Sequence, residues 1–259
     1  MRRVLRDPAR LFLAATGLAA ALLLAAAWVL SGRLVLIAHA GGSADGEAMT
    51  NSLRAMSASA ARGIGLIEID LSRLADGSVV CAHDWDAFGG TPPEAAAWRE
   101  AHRDGPRPCT AETAGAWLRQ NPGAVIVTDV KADQLGVLAA LSSAGWPKDR
   151  TVVQIYAPDE AGPVRALGFE RQILTLYRYD EALAPVVALA GSGRLEAVTM
   201  PTYRVRRGEA RTIGRTGVPV YTHTVNRWAP AGYYALFGVS GVYTDNTEAP
   251  SWHPFARRP

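Results

Sequence analysis

Acidic and imidazole side chains follow short apolar segments in the first third of this sequence. His39 follows the apolar residues 34–38, and Glu68 and Asp70 lie two positions apart within residues 66–71. In a β-strand, residues two apart project from the same face, so the two carboxylates share one side. Like charges this close are costly unless a cation compensates them. The spacing therefore predicts a metal site, and a buried ion network with arginine or lysine is the alternative.

Two further segments carry the same kind of chemistry. His83 follows residues 79–82, which return from the turn at Asp76-Gly77, and Asp129 and Lys131 end the apolar residues 124–130. Carboxylate oxygens suit Mg²⁺ or Ca²⁺ better than Zn²⁺. We therefore expect one divalent cation, Mg²⁺ or Ca²⁺. Its expected protein ligands are the carboxylates of Glu68, Asp70 and Asp129.

The basic groups around these carboxylates suit a phosphodiester. Lys131 shares the face of Asp129 and would hold a phosphate oxygen beside the metal. His39 and His83 would lie on opposite sides of the phosphate as catalytic base and acid, in this order or the reverse. Each histidine alone is more often structural; their joint occurrence with the carboxylates indicates catalysis.

The remaining sequence predicts the scaffold that brings these groups together. Apolar strand segments alternate with helical segments from residue 34 to residue 244, giving eight major strands. Eight parallel strands in about 225 residues favour a closed (β/α)8 TIM barrel over an open doubly wound sheet. The C-terminal strand ends of such a barrel carry the functional residues, which is where the predicted groups fall. Glycine and proline interrupt residues 85–108, which we expect to form a short insert.

The N-terminal segment predicts contact with a membrane. Residues 11–30 contain no charge and would rise about 30 Å as a helix. Four arginines precede this segment and Arg33 follows it, which places the N-terminus in the cytoplasm and the domain outside the cell membrane. A cleaved signal peptide, giving a secreted protein, is the alternative. The predicted division is a segment 1–33, anchor or signal, and a barrel domain 34–259.

Charge and cysteine content narrow the class of protein. The net charge of +3 divides into +4 over residues 1–33 and −1 over residues 34–259. A nucleic-acid-binding domain would carry its basic excess on the folded part, so we set that class aside.

Cys81 and Cys109 could form a disulfide outside the cell or stay unpaired, and the sequence favours neither.

The ordered motifs resemble one enzyme family. His39-Ala-Gly-Gly42, Thr50-Asn51, Glu68-Ile-Asp70, His83-Asp84, Asp129-Val-Lys131, Thr224-Val-Asn226 and Thr244-Asp245 are similar to motifs of the glycerophosphodiester phosphodiesterases. This family is related to the phosphatidylinositol-specific phospholipases C. The resemblance implies a metal-dependent TIM barrel that releases glycerol 3-phosphate and an alcohol from a glycerophosphodiester. It also implies catalytic roles for His39, His83 and Lys131, and metal binding by the three carboxylates.

The resemblance also implies which residues contact the substrate, and the sequence differs from the family's usual pattern at three places. Asn51, Lys131 and His223 are the expected substrate-binding residues, with His223 near the place of a family tryptophan. Ala40 stands where the family commonly has arginine, Asp129 replaces the commoner glutamate, and the insert is short. Arg73 or Arg204 would be the compensating cation for Ala40. Two alternatives remain: a phospholipase or lysophospholipase D-like enzyme on membrane lipids, and a non-catalytic barrel that binds phosphodiesters.

Overall fold

A computed structural model of the chain describes residues 8–248, so the basic residues before position 8 and the C-terminal tail lie outside it. Ten helices occur in this part of the chain, in the order α1 Pro8–Ser31, α2 Leu53–Ala61, α3 Ala95–Ala101, α4 Ala111–Gln120, α5 Gln134–Ser143, α6 Ala161–Ala166, α7 Leu183–Gly191, α8 Thr202–Arg206, α9 Glu209–Gly214 and α10 Trp228–Ala235. The alternation of strand and helix predicted from the sequence is confirmed. The five-residue helix α8 was not predicted.

Twelve strands occur in the same part of the chain, in the order β1 Val35–Ala38, β2 Ser43–Ala44, β3 Glu47–Ala48, β4 Leu66–Asp70, β5 Ser72–Arg73, β6 Val79–Val80, β7 Val125–Asp129, β8 Thr151–Ile155, β9 Arg171–Thr175, β10 Ala197–Pro201, β11 Val220–His223 and β12 Gly241–Thr244. Eight of them form a closed parallel barrel in the order β1-β12-β11-β10-β9-β8-β7-β4. Together with the surrounding helices this is a TIM barrel, as predicted. The four short strands form two separate hairpins.

The interior of the barrel changes character along its axis. Its lower part is filled by apolar side chains from the strands, namely Ile37, Val127, Val152, Ile173, Ala197, Tyr221 and Tyr243. Positions two residues further along these strands share the same inward face. These positions include His39 after Ile37 and Asp129 after Val127. The polar groups therefore gather above an apolar floor, at the C-terminal mouth of the barrel.

A glycine after β1 lets the chain turn tightly at this mouth. Gly42 has φ +85°, and a Cβ atom at this position would overlap the side chains of Ser59 and Thr247. Both restrictions favour glycine, because other residues rarely adopt this conformation and would also clash. The turn returns the chain to the start of α2 and keeps His39 at the mouth.

The segment between β6 and α4 forms the predicted insert and contains α3. A disulfide between Cys81 and Cys109 closes it, with 5.0 Å between the two Cα atoms. Trp98 packs with Leu74 and Val80 in a small apolar cluster of its own. The insert is therefore held at its base by a covalent bond and by the packing of Trp98 against the β5–β6 hairpin.

Candidate active site

Three carboxylates converge at the mouth of the barrel. Glu68 and Asp70 lie on β4, Asp129 ends the neighbouring strand β7, and Asp70 is the register partner of Asp129. Each of the three offers a ligand atom, and these atoms lie within 4.8 Å of one another. The convergence predicted from the two-residue spacing is therefore present, and the cluster could bind a metal ion.

Backbone and amide groups hold two of the carboxylates in place. The backbone N–H of Ala40 donates to Oε2 of Glu68 at 2.8 Å. The side chain of Asn51 donates to Oδ2 of Asp70 at 2.9 Å and accepts from the backbone N–H of Asp70 at 3.0 Å. Asn51 is buried, so its contacts support a positioning role behind Asp70; its expected substrate contact stays a prediction.

Lys131 lies between two of the carboxylates. Its Nζ atom donates to Oδ1 of Asp70 at 2.6 Å and to Oδ2 of Asp129 at 2.9 Å. Burial lowers the pKa of this ammonium, but the charges of Asp129 and Asp70 outweigh burial and raise it overall. Lys131 is therefore a fixed positive charge at the mouth, which partly offsets the three carboxylates.

Tyr156 is a site residue that the sequence reasoning missed. It follows β8, lines the same pocket, and its hydroxyl donates to Oδ1 of Asp129. Burial and the adjacent Asp129 charge raise the pKa of Tyr156, so the phenol stays protonated. Its position directly after a barrel strand, at the same edge as Asp129, could have indicated that Tyr156 belongs to the site. The shorter aspartate is thus fixed by a hydroxyl donor from the next strand.

Glu68 has a feature expected of a cation ligand. Its Oε1 atom is buried and receives no hydrogen bond from any residue between 8 and 248. Burial, followed by the charge of Asp70, raises the pKa of Glu68 to about 8. A buried, unpartnered carboxylate oxygen is costly, whereas a divalent cation would compensate it and favour the ionised form. The oxygen-only donor set fits Mg²⁺ or Ca²⁺.

His39 is oriented by a hydrogen bond to Asp245, which follows the neighbouring strand β12. Its Nδ1 atom lies 2.6 Å from Oδ1 of Asp245, and Nε2 lies 3.9 Å from Oε2 of Glu68. The side chain of Asn226 donates to the other oxygen of Asp245 at 2.9 Å. With Nδ1 protonated toward Asp245, Nε2 is the nitrogen directed toward the carboxylates. Asp245 belonged to a quoted motif, but its role was not predicted.

The surroundings of His39 favour its charged form. Burial lowers its pKa, but the hydrogen bond to Asp245 and the charge of Glu68 outweigh burial and raise it to about 9. With these protein neighbours alone, His39 carries a proton at neutral pH.

His83 lies at the outer edge of the same pocket. Its side chain is half exposed, and Nδ1 lies 2.7 Å from Oδ2 of Asp84. Both His39 and His83 line a pocket of about 190 Å³ together with Glu68, Asp129 and Lys131. The two histidines are therefore brought to one cavity with the carboxylates, as the sequence predicted.

His223 contributes a neutral imidazole to this pocket. Burial, followed by the nearby His39 charge, lowers the pKa of His223 to about 4. Its Nε2 atom is buried and has no hydrogen-bond partner within residues 8–248. The ring centroid lies 5.8 Å from that of Tyr177, which also lines the pocket. His223 thus offers an unused polar atom beside the cavity.

Arg73 and Arg204 were the two candidates to replace the positive charge of the family arginine at the position of Ala40. Both form ion pairs with other residues. Arg204 is buried and binds Glu209 at 2.6 Å, and Arg73 pairs with Asp133 at 3.1 Å. Arg178 lies at the mouth instead. Its Nη1 atom donates to the backbone oxygen of Lys131 at 3.1 Å, and its guanidinium lies 5.3 Å from the Tyr156 ring centroid.

Solved structures of glycerophosphodiester phosphodiesterases share this fold. A putative enzyme from Silicibacter pomeroyi is 17% identical with TM-score 0.65, covering 83% of this chain and 90% of that chain. The Thermotoga maritima enzyme is 17% identical with TM-score 0.64, covering 83% and 96%. A phosphodiesterase from Oleispira antarctica, in complex with its product sn-glycerol-3-phosphate, is 19% identical with TM-score 0.65, covering 85% and 93%.

These likenesses confirm the fold expected from the resemblance. No family model matches the chain, and no curated protein matches it in sequence. At identities of 17–19%, the solved structures establish the barrel architecture, while the assignment of activity depends on the site.

The contact between His39 and Asp245 leads us to predict how the pKa of His39 changes in a variant of the chelator-treated protein. In Asp245→Asn, we expect the pKa of His39 to fall from about 9 toward its ordinary value of 6.5, because the variant removes both an anionic acceptor and its charge. Nuclear magnetic resonance of the imidazole resonances against pH measures this value. Asp84→Asn, which alters the partner of His83, is the matched control and leaves His39 unchanged. A pKa near 9 in Asp245→Asn would contradict the assignment.

Proposed function

We propose that this chain is a metal-dependent hydrolase of glycerophosphodiesters, a member of the glycerophosphodiester phosphodiesterases that releases glycerol 3-phosphate and an alcohol. The observation that carries the proposal is the cluster of Glu68, Asp70 and Asp129, two of which, Glu68 and Asp129, line one pocket with His39 and His83. The common fold with solved glycerophosphodiester phosphodiesterases supports it. The product complex of the Oleispira antarctica protein supports the glycerophosphate moiety of the substrate.

Glu68, Asp70 and Asp129 would hold one divalent cation, Mg²⁺ or Ca²⁺. Their oxygen donors, their mutual approach and the unpartnered Oε1 of Glu68 support this role. When bound, the cation would polarise the phosphate and offset its negative charge.

The side chains around this cluster would position the diester and move protons. Lys131 contacts a phosphate oxygen and stabilises charge that develops during displacement. His39, held through Nδ1 by Asp245, donates a proton to the leaving alcohol, and His83 accepts one from the attacking hydroxyl group or water. This order is the reverse of the first expectation, which left both orders open.

Substrate contacts would come from the remaining polar groups of the pocket. His223 lines the pocket with a neutral imidazole, which supports the expected binding role. Arg178, rather than Arg73 or Arg204, supplies positive charge near Lys131 in the absence of an arginine at position 40. Asn51 acts on the substrate through the position of Asp70.

Residues 1–33 would anchor the enzyme, with residues 34–259 forming the catalytic domain outside the cytoplasm. The described chain has one helix long and apolar enough to cross a membrane, spanning residues 11–31 with mean hydropathy 2.2. The disulfide between Cys81 and Cys109 supports an oxidising location. The lipid-cleaving and non-catalytic alternatives gain no support from the described residues or from these solved structures.

The proposed reaction predicts metal-dependent release of glycerol 3-phosphate. The full chain in detergent should hydrolyse glycerophosphocholine or glycerophosphoethanolamine, and a chelator should abolish this activity until Mg²⁺ or Ca²⁺ is restored. An enzyme-coupled assay for glycerol 3-phosphate provides the measurement. Full activity in the chelator would remove the metal from the proposal, and absence of activity on every glycerophosphodiester with either ion would reject the substrate class.

The two histidines of the pocket predict separate losses of turnover. His39→Ala and His83→Ala should each lower kcat by roughly 10²- to 10⁴-fold, the usual contribution of general acid–base catalysis. His102→Ala is the matched control, because His102 lies on the insert and binds the Trp98 backbone oxygen there. Near-normal kcat in both pocket variants would end the acid–base assignment.

A further inference from the structure

The N-terminal helix α1 contacts the barrel through its last turns alone. Residues 11–25 are exposed throughout, whereas Ala27 and Ser31 are buried. The exposed part rises about 22 Å at 1.5 Å per residue, and residues 8–10 extend it toward the thickness of a hydrocarbon core. The helix is therefore free to enter a bilayer up to the point where it meets the barrel.

A close contact with α10 fixes where this meeting occurs. A Cβ atom at Gly232 would overlap the backbone of Ala27, so glycine lets the two helices approach closely. Next to this contact, the rings of Trp28 and Trp228 lie edge to face with centroids 5.0 Å apart. The contact fixes α1 against the side of the barrel.

Hydrogen bonds just after the C-terminal ends of α1 and α10 show which edge of the barrel each helix approaches. Just after α1, the backbone N–H of Leu34 donates to Ser31 at 3.4 Å, and that of Val35 donates to Ser240 at 2.9 Å. Ser240, which follows α10, in turn donates to Val220 at 2.8 Å. Val35 and Val220 begin barrel strands, so both helices descend to the N-terminal edge of the barrel.

The exposed part of α1 therefore extends in the opposite direction, toward the catalytic mouth. Ala27 lies one turn, about 6 Å, before Ser31, and Gly232 lies about one turn before the end of α10. Because both helices end at this edge and meet about one turn before their ends, we infer that α1 leaves the contact toward the mouth side of the barrel. The bilayer that contains residues 11–25 then lies on the mouth side.

The segments that follow β10 and β11 on this side of the mouth carry side chains suited to a lipid surface. Residues 202–208, which include α8, and residues 224–228 contain no acidic residue and three arginines besides Arg204, which is buried and paired with Glu209. Within them, Tyr203, Arg207 and Arg227 are exposed, and the guanidinium of Arg207 lies 5.2 Å from the Tyr203 ring centroid. Tyrosine and tryptophan concentrate at membrane interfaces, and arginine binds anionic headgroups. We call Tyr203, Arg207, Arg227 and Trp228 the mouth rim.

We propose that the mouth rim lies on the surface of the bilayer that α1 spans, with anionic phospholipid headgroups as its partner. The opening of the catalytic pocket then faces the headgroup layer. The direction of α1, the tryptophan pair at its junction with α10 and the basic segments support this orientation together. The proposal concerns the orientation of the chain and does not depend on its hydrolytic activity.

Depth measurements on the full chain in vesicles test this orientation. Because Cys81 and Cys109 form a disulfide, a thiol-reactive fluorophore labels a single introduced cysteine. Tyr203→Cys places the label on the mouth rim, and Ser192→Cys places it before β10 at the opposite edge. In vesicles of phosphatidylcholine and phosphatidylglycerol, a headgroup-attached quencher should quench the label at 203 several-fold more than the label at 192. Equal quenching, stronger quenching at 192, or a chain that vesicles do not retain would overturn the proposal.

A charge reversal tests the chemistry of the partner. Arg207→Glu combined with Arg227→Glu should reduce quenching of the label at 203 in vesicles that contain phosphatidylglycerol, because the rim would then repel the surface. Glu209 and Arg204 stay paired in this variant, so the local fold is preserved. In vesicles of phosphatidylcholine alone, the parent and the variant should be quenched alike. Undiminished quenching of the variant in anionic vesicles would reject anionic headgroups as the partner.

Discussion

Mutual repulsion among Glu68, Asp70 and Asp129 is the constraint on which the arrangement of the mouth depends. Lys131 binds two of these carboxylates, Tyr156 binds one, and the N–H of Ala40 approaches the third. These donors offset part of the negative charge, yet one buried oxygen of Glu68 has no partner among residues 8–248. A divalent cation is the group that would complete the balance, because it supplies positive charge and accepts several oxygen ligands.

The scaffold and the main acidic groups could be predicted because their signals are local. Apolar segments alternating with helical ones specify strands and helices one at a time, and eight such units close into a barrel. His39, Glu68 and Asp129 lie at or near strand ends, so parallel strands bring them to the same edge without further information. The two-residue spacing of Glu68 and Asp70 then gives their common face.

The contacts that support these groups depend on the closed barrel and were not predictable locally. Asp245 binds His39 from 206 residues away, and Asn51 meets Asp70 through a turn whose path the sequence does not specify. Tyr156 follows the neighbouring strand β8 and lies two residues beyond the position level with Asp129, so its long side chain has to reach back to that carboxylate. At Ala40, a backbone N–H contributes to the site, which a comparison of side chains cannot reveal.

Calorimetric titration of the chelator-treated full chain with Mg²⁺ or Ca²⁺ tests the cation site most directly, without requiring knowledge of the substrate. The wild-type chain should bind one ion, and Glu68→Gln should lose at least about tenfold in affinity, or about 1.4 kcal/mol. Glu47→Gln, which alters an exposed carboxylate that does not line the pocket, should bind like the wild type. A wild-type chain that binds neither ion, or a Glu68→Gln variant with unchanged affinity, would contradict the account.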